Sequence, residues 1–101
     1  MNKGLLVDIG GTNMRYAIAS NEQEDISQIN KTEFDTLDFE TFLRKLVVDN
    51  KIDTLIISIA GPKINNSIRM TNKDYSINSD ELKKNLNIKE CIILNDWEAI
   101  A

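Results

Sequence analysis

Leu5-Leu6-Val7-Asp8-Ile9-Gly10-Gly11-Thr12-Asn13-Met14-Arg15-Tyr16 is the stretch on which the fold of this chain turns. The run from Gly4 to Ile9 is apolar but for one carboxylate, Asp8. Leu5-Leu6-Val7 is too uniformly apolar for a strand with one wet face, which predicts a central strand. Gly10-Gly11 then breaks the run where the chain must turn sharply, and Met14 to Ser20 returns as a second strand. A polar loop over Asn21-Glu22-Gln23-Glu24-Asp25 follows, and Ile26 to about Phe34 alternates as an edge strand should.

Asp38 can cap a helix through about Asn50, with Phe39, Phe42, Leu43, Leu46 and Val47 on one apolar stripe. Thr54 to Ala60 is a second buried strand, parallel to the first because a helix carries the chain across. Asn65-Asn66 reads as a small hairpin turn with Ser67 to Thr71 as its return strand. Asn78 and Glu81 have capping-box spacing and Ile77 and Leu82 the spacing of a hydrophobic staple, which starts a short helix. That helix turns Leu82 and Leu86 inward and ends at Asn87, a residue that tolerates a left-handed cap. Cys91-Ile92-Ile93-Leu94 is a third buried parallel strand, Asn95-Asp96 follows it, and Trp97 to Ala101 begins another helix. Three strands joined by turns and then two helical crossovers specify an α/β fold: a mixed five-stranded sheet with a covering layer of helices. A domain seldom stops one turn into an apolar helix, so a fragment of a longer protein is expected.

Composition narrows the chemistry. Hydrophobic residues make up 42% of the 101 and charged residues 28%, which suits one globular domain and leaves no room for two. There is no histidine, so Ser-His and Cys-His dyads and histidine metal ligands are excluded. The single cysteine, Cys91, excludes an internal disulfide and a thiolate zinc site, and in a buried strand it reads as a small core residue. Acid–base work must fall to carboxylates. Sixteen acidic against twelve basic residues give a net charge of −4, which disfavours nucleic acid and anionic membranes as partners. The closest basic group, Lys83-Lys84 with Lys89, falls on an exposed helix face. No apolar run approaches the roughly 18 residues of a membrane span, and the first residues lack a secretory core. The chain reads as soluble, reduced and cytoplasmic.

In an open α/β sheet, ligands bind beyond the carboxyl ends of the strands. Asp8 with Gly10-Gly11, Gly61-Pro62, and Asn95-Asp96 all fall there. Gly10 and Gly11 remove the Cβ atoms that would hold backbone away from a phosphate, and their N–H groups can donate to its oxygens. Thr12 and Asn13 add side-chain donors. Taken alone, the same four residues read first as a tight hairpin, and they match neither the Walker nor the Rossmann spacing. A carboxylate inside an apolar strand is costly to bury without compensation, so Asp8 points to Mg²⁺ or its waters beside a phosphate, or else to a turn cap. Asp96 can N-cap the last helix, or take a proton from a hydroxyl attacking phosphorus while Asn95 orients that hydroxyl. Arg15 is a phosphate contact or a surface residue.

Leu6-Val7-Asp8-Ile9-Gly10-Gly11-Thr12-Asn13-Met14-Arg15 resembles the first phosphate motif of bacterial glucokinases, within the hexokinase and actin superfamily of ATP-using folds. Ile59-Ala60-Gly61-Pro62, Met70-Thr71-Asn72 and Leu94-Asn95-Asp96-Trp97-Glu98-Ala99 resemble that family in order and interval, as does Lys83-Lys84-Asn85-Leu86. The resemblance implies a ribonuclease H-like (actin-like ATPase) domain, residues 1–101 being the N-terminal one and the larger C-terminal domain absent. It implies ATP-dependent, Mg²⁺-assisted phosphorylation of glucose to glucose 6-phosphate. By position, Asp96 would be the catalytic base, and Asn95, Asp96, Thr71 and Asn72 would bind the sugar. Asp8, Gly10, Gly11, Thr12, Asn13 and Arg15 would line the ATP phosphates, with Asp8 reaching the metal through water or phosphate. Glucose and ATP are then the partners, with room for a homodimer of the intact protein. The chain departs from many relatives at Lys73, Asp74 and Tyr75, where Thr or His and then Trp are usual, and at Trp97, where Phe is usual. Asp74 near a sugar could alter preference.

Three other readings compete. One is a kinase of another hexose or an N-acetylhexosamine, in which Lys often stands at the position of Asn13. A two-metal nuclease of the ribonuclease H type needs clustered carboxylates, and Thr54 to Ala60 carries none. A non-catalytic fragment is the third, since half a cleft cannot position two substrates.

Overall fold

Residues Lys3–Gly10 form β1 and Asn13–Ser20 form β2, paired antiparallel from Lys3 opposite Ser20 to Gly10 opposite Asn13. The computed structural model that gives these elements describes residues 3–10, 13–20, 25–26, 29–35, 37–59, 63–65, 67–69 and 75–95. The edge strand expected over Ile26 to Phe34 is two segments, β3 (Asp25–Ile26) and β4 (Asn30–Glu33), both paired with β2. Their registers differ by one. Ile26 stands opposite Ala19 but Asn30 opposite Tyr16. A one-residue slip exchanges the two faces. It carries Phe34 into the core, 2% exposed, and leaves Ile29 66% exposed.

Helix α1 (Phe39–Asn50) buries Phe39, Leu43 and Val47, with Phe42 and Leu46 half-buried beside them, as a 3.6-residue period requires. Asp38 is the N-cap residue, yet its carboxylate makes no capping bond, contrary to expectation. The turn into the helix is held one step earlier, where Asp35 Oδ1 accepts from the Leu37 N–H at 2.9 Å. Lys51 ends α1 in the left-handed region at φ 54°.

Strand β5 (Thr54–Ile59) pairs parallel with β1. Strands β6 (Lys63–Ile64), β7 (Ser67–Arg69) and β8 (Ser76–Asn78) make a small antiparallel sheet, with Asn65 at φ 56° in the expected turn. Helix α2 (Ser79–Leu86) begins as its capping spacing predicts: Asn78 Oδ1 accepts from the Glu81 N–H at 3.0 Å, and Asn87 closes the helix at φ 54°. Asn78 Nδ2 also donates to Ser67 Oγ at 2.7 Å, tying the cap to β7. Strand β9 (Glu90–Asn95) pairs parallel with β5.

Across the main sheet the order is β3 and β4, then β2, β1, β5 and β9, which makes β1 central and gives the five strand positions of the expected mixed α/β sheet. Both crossovers advance in one direction, so right-handedness sets α1 and α2 on the same face. There Leu5, Val7, Ile9, Leu55, Ile57, Ile59 and Ile93 meet Phe39, Leu43, Leu82 and Leu86 in one core. Asn85 Nδ2 donates to Glu40 Oε1 at 2.8 Å, linking the two helices. Tyr75 stands edge-on to Phe34 and Phe39, ring centres 6.1 and 6.4 Å away. Among the described residues no helix is long and apolar enough to cross a membrane.

Candidate functional site

Alternation along β1 sends Leu5, Val7 and Ile9 to the helices, and Leu6 and Asp8 to the face that the described helices leave uncovered. Asp8 is therefore exposed rather than buried in an apolar strand, which corrects the sequence expectation and removes the desolvation cost. Register sets its neighbours. Arg15 on β2 pairs with Asp8 on one side, Ser58 on β5 on the other, and Leu94 on β9 continues the row. Side chains paired across neighbouring strands lie on one face, with Cβ atoms about 5 Å apart. A guanidinium, a carboxylate and a hydroxyl thus stand in line at the carboxyl ends of β1 and β5.

This row opens on a concavity of about 600 Å³, whose other lining residues include Leu6, Ala17, Ile29 and Ile56. An apolar floor with a few convergent polar groups is the usual make-up of a small-molecule site. Beyond the row, Gly10 and Asn13 form the last pair of the β1–β2 ladder. A Cβ built on Gly10 would meet nothing within 4 Å, leaving space for a ligand against the backbone. Asn13 and Arg15 are exposed. Asn95 is half-buried, level with Ile59 and through it with Ile9, and lies two strand spacings from β1, roughly 10 Å. Asp8, Gly10, Asn13, Arg15 and Asn95 are thereby brought to one end of the sheet. Gly11, Thr12, Thr71, Asn72 and Asp96 lie outside the described residues, as do Gly61, Pro62, Lys73, Asp74 and Trp97.

Among the described residues no three of His, Cys, Asp or Glu converge into a metal cage. One exposed carboxylate beside an open concavity suits Mg²⁺, which is commonly held by one or two carboxylates with phosphate oxygens and water. Ser58 is the site residue that the sequence reading missed. Its signal is faint, a hydroxyl closing the open-face set of an apolar strand two residues before Ala60.

Other polar groups sit elsewhere. A smaller cavity of about 110 Å³ between α1, α2 and β8 is lined by residues including Glu40, Tyr75, Asn78 and Asn85. Burial, and then the charge of Glu40, raises the Tyr75 phenol above its ordinary value. The Cys91 thiol is pushed up to about 11, first by burial and then by Asp80, with Lys83 opposing. It is a poor nucleophile at neutral pH, consistent with a core role.

Residues 5–101 match the family described as Glucokinase. The glucokinase of Caulobacter vibrioides (strain NA1000 / CB15N) is 32% identical over 105 residues, covering 97% of this chain and 31% of the relative. The chain thus spans about a third of the length of that curated relative. Among solved structures, a glucokinase from an Antarctic psychrotroph aligns with a TM-score of 0.68 at 22% identity, covering 96% of this chain and 33% of the other. A Bacteroides thetaiotaomicron protein described as having an actin-like ATPase fold aligns with a TM-score of 0.58 at 13% identity, covering 98% of this chain and 36% of the other. The fold is that of the actin-like ATPases.

Proposed function

Because this chain belongs to the glucokinase family, we propose that it forms the N-terminal domain of an enzyme that phosphorylates glucose at its 6-hydroxyl with ATP. The observation that carries the reading is the Arg15–Asp8–Ser58 row, open to a concavity at the same sheet end as the glycine hairpin and Asn95. Asp96, directly after β9, removes the proton from the sugar hydroxyl. The freed oxygen bonds to the γ-phosphorus, the bond to the β-phosphate oxygen breaks, and ADP leaves with that electron pair. Asn95, with Thr71 and Asn72, binds the sugar. Backbone N–H groups of Gly10 and Gly11, with Thr12, Asn13 and Arg15, hold the phosphates. Asp8 would hold Mg²⁺ through water or a phosphate oxygen, and the ion would supply neutralising charge there. Sequence beyond residue 101 supplies the larger domain and the rest of both substrate sites. A cytoplasmic location and a homodimer belong to the same reading.

The test is steady-state phosphorylation by the full-length polypeptide of a panel of glucose, other hexoses and N-acetylated hexosamines. The expected result is a kcat/KM for glucose above that of every N-acetylated sugar. A folded protein that phosphorylates an N-acetylhexosamine and not glucose would move the assignment to that class of kinase.

A further inference from the structure

Ser58 stands where an apolar residue would have extended the floor made by Leu6, Ile56 and Leu94. It is half-exposed at the carboxyl end of β5, directly beside Asp8 and on the same face. We propose that Ser58 is a positioning residue for Asp8, its hydroxyl donating to the Asp8 carboxylate in the nucleotide-bound site. The inference rests on Asp8 serving the metal–phosphate group.

The physical case is one of rotational freedom. An Asp side chain has a broad, two-fold terminal torsion, so an exposed Asp8 samples many orientations. A carboxylate offers about four acceptor sites, and one donor engaged on the β5 side leaves the others for a bound cation's water or ligand. Arg15, on the β2 side, would otherwise draw the carboxylate away from β5. A hydroxyl is neutral, so it fixes direction without cancelling the charge that the cation needs.

The experiment is calorimetric titration of the full-length polypeptide with Mg·ATP and, separately, with ATP in excess chelator. The proteins compared are the wild type, Ser58→Ala, Ser58→Thr, Asp8→Asn and the Ser58→Ala/Asp8→Asn double variant. A hydrogen bond to a charged group predicts about tenfold weaker Mg·ATP binding in Ser58→Ala. Metal-free ATP should bind unchanged, Ser58→Thr should restore affinity, and Ser58→Ala should add nothing once Asp8 is Asn. Unchanged Mg·ATP binding in Ser58→Ala, equal losses with both forms of ATP, or additive losses in the double variant would overturn the proposal while leaving Asp8 in place. Unchanged Mg·ATP binding in Asp8→Asn would instead remove the reading beneath it, and the proposal with it.

Discussion

Burial in β9 and then the charge of Asp80 push the Cys91 thiol up from its ordinary 9.0 to about 11. Alkylation of the folded chain by iodoacetamide should therefore be slow at pH 7.5 and its rate should climb through a midpoint near 11. The folded thiol keeps its proton where an unfolded one loses it. Its stabilising contribution is thus complete below pH 9 and lost as pH rises toward 11. Urea midpoints of wild type and Cys91→Ala should diverge over that window, and a constant difference would contradict it. Asn78 gives a second residue-scale prediction. Its side chain both caps α2 and bonds Ser67, so Asn78→Ala should cost about 1–2 kcal/mol in chemical denaturation. Both the Asn78 cap and the candidacy of Asp8 were legible in sequence, since each depends on a spacing or a single odd residue. The exposure of Asp8 was not. Which face of β1 stays open is set by the handedness of two crossovers, not by any neighbour of Asp8.

Helix α1 was legible almost whole, because its stripe is periodic and its buried members are those the period selects. Leu43, fully buried, should cost about 2–5 kcal/mol as Leu43→Ala, measured by urea unfolding. Lys51 adopts the left-handed region that glycine favours, so Lys51→Gly should raise stability by up to about 1 kcal/mol. A loss there would show that the lysine side chain contributes more than its backbone costs. The register difference between β3 and β4 could not be read in advance. Alternation over nine residues looks the same with or without a one-residue slip, and only the pairing with β2 exposes it. Strand β8 escaped for another reason: three residues ending in a capping asparagine carry a helix signal, not a strand signal.

At the scale of the molecule, the parallel strands β1, β5 and β9 bring residues distant in sequence to one sheet end. The sequence reading therefore placed Asp8, Gly10, Asn13, Arg15 and Asn95 together, but passed over Ser58, because a lone hydroxyl in an apolar strand has no pattern of its own. Residues 1–101 expressed alone should give no glucose phosphorylation, as they span about a third of the Caulobacter vibrioides relative's length. The proposed mechanism depends most directly on Asp96 as the base that activates the sugar. The measurement is ATP-dependent phosphorylation of glucose by the full-length polypeptide, wild type beside Asp96→Asn. Loss of a general base predicts a kcat lower by about 10²–10⁴-fold in a variant that still binds glucose. A kcat equal to wild type would contradict it.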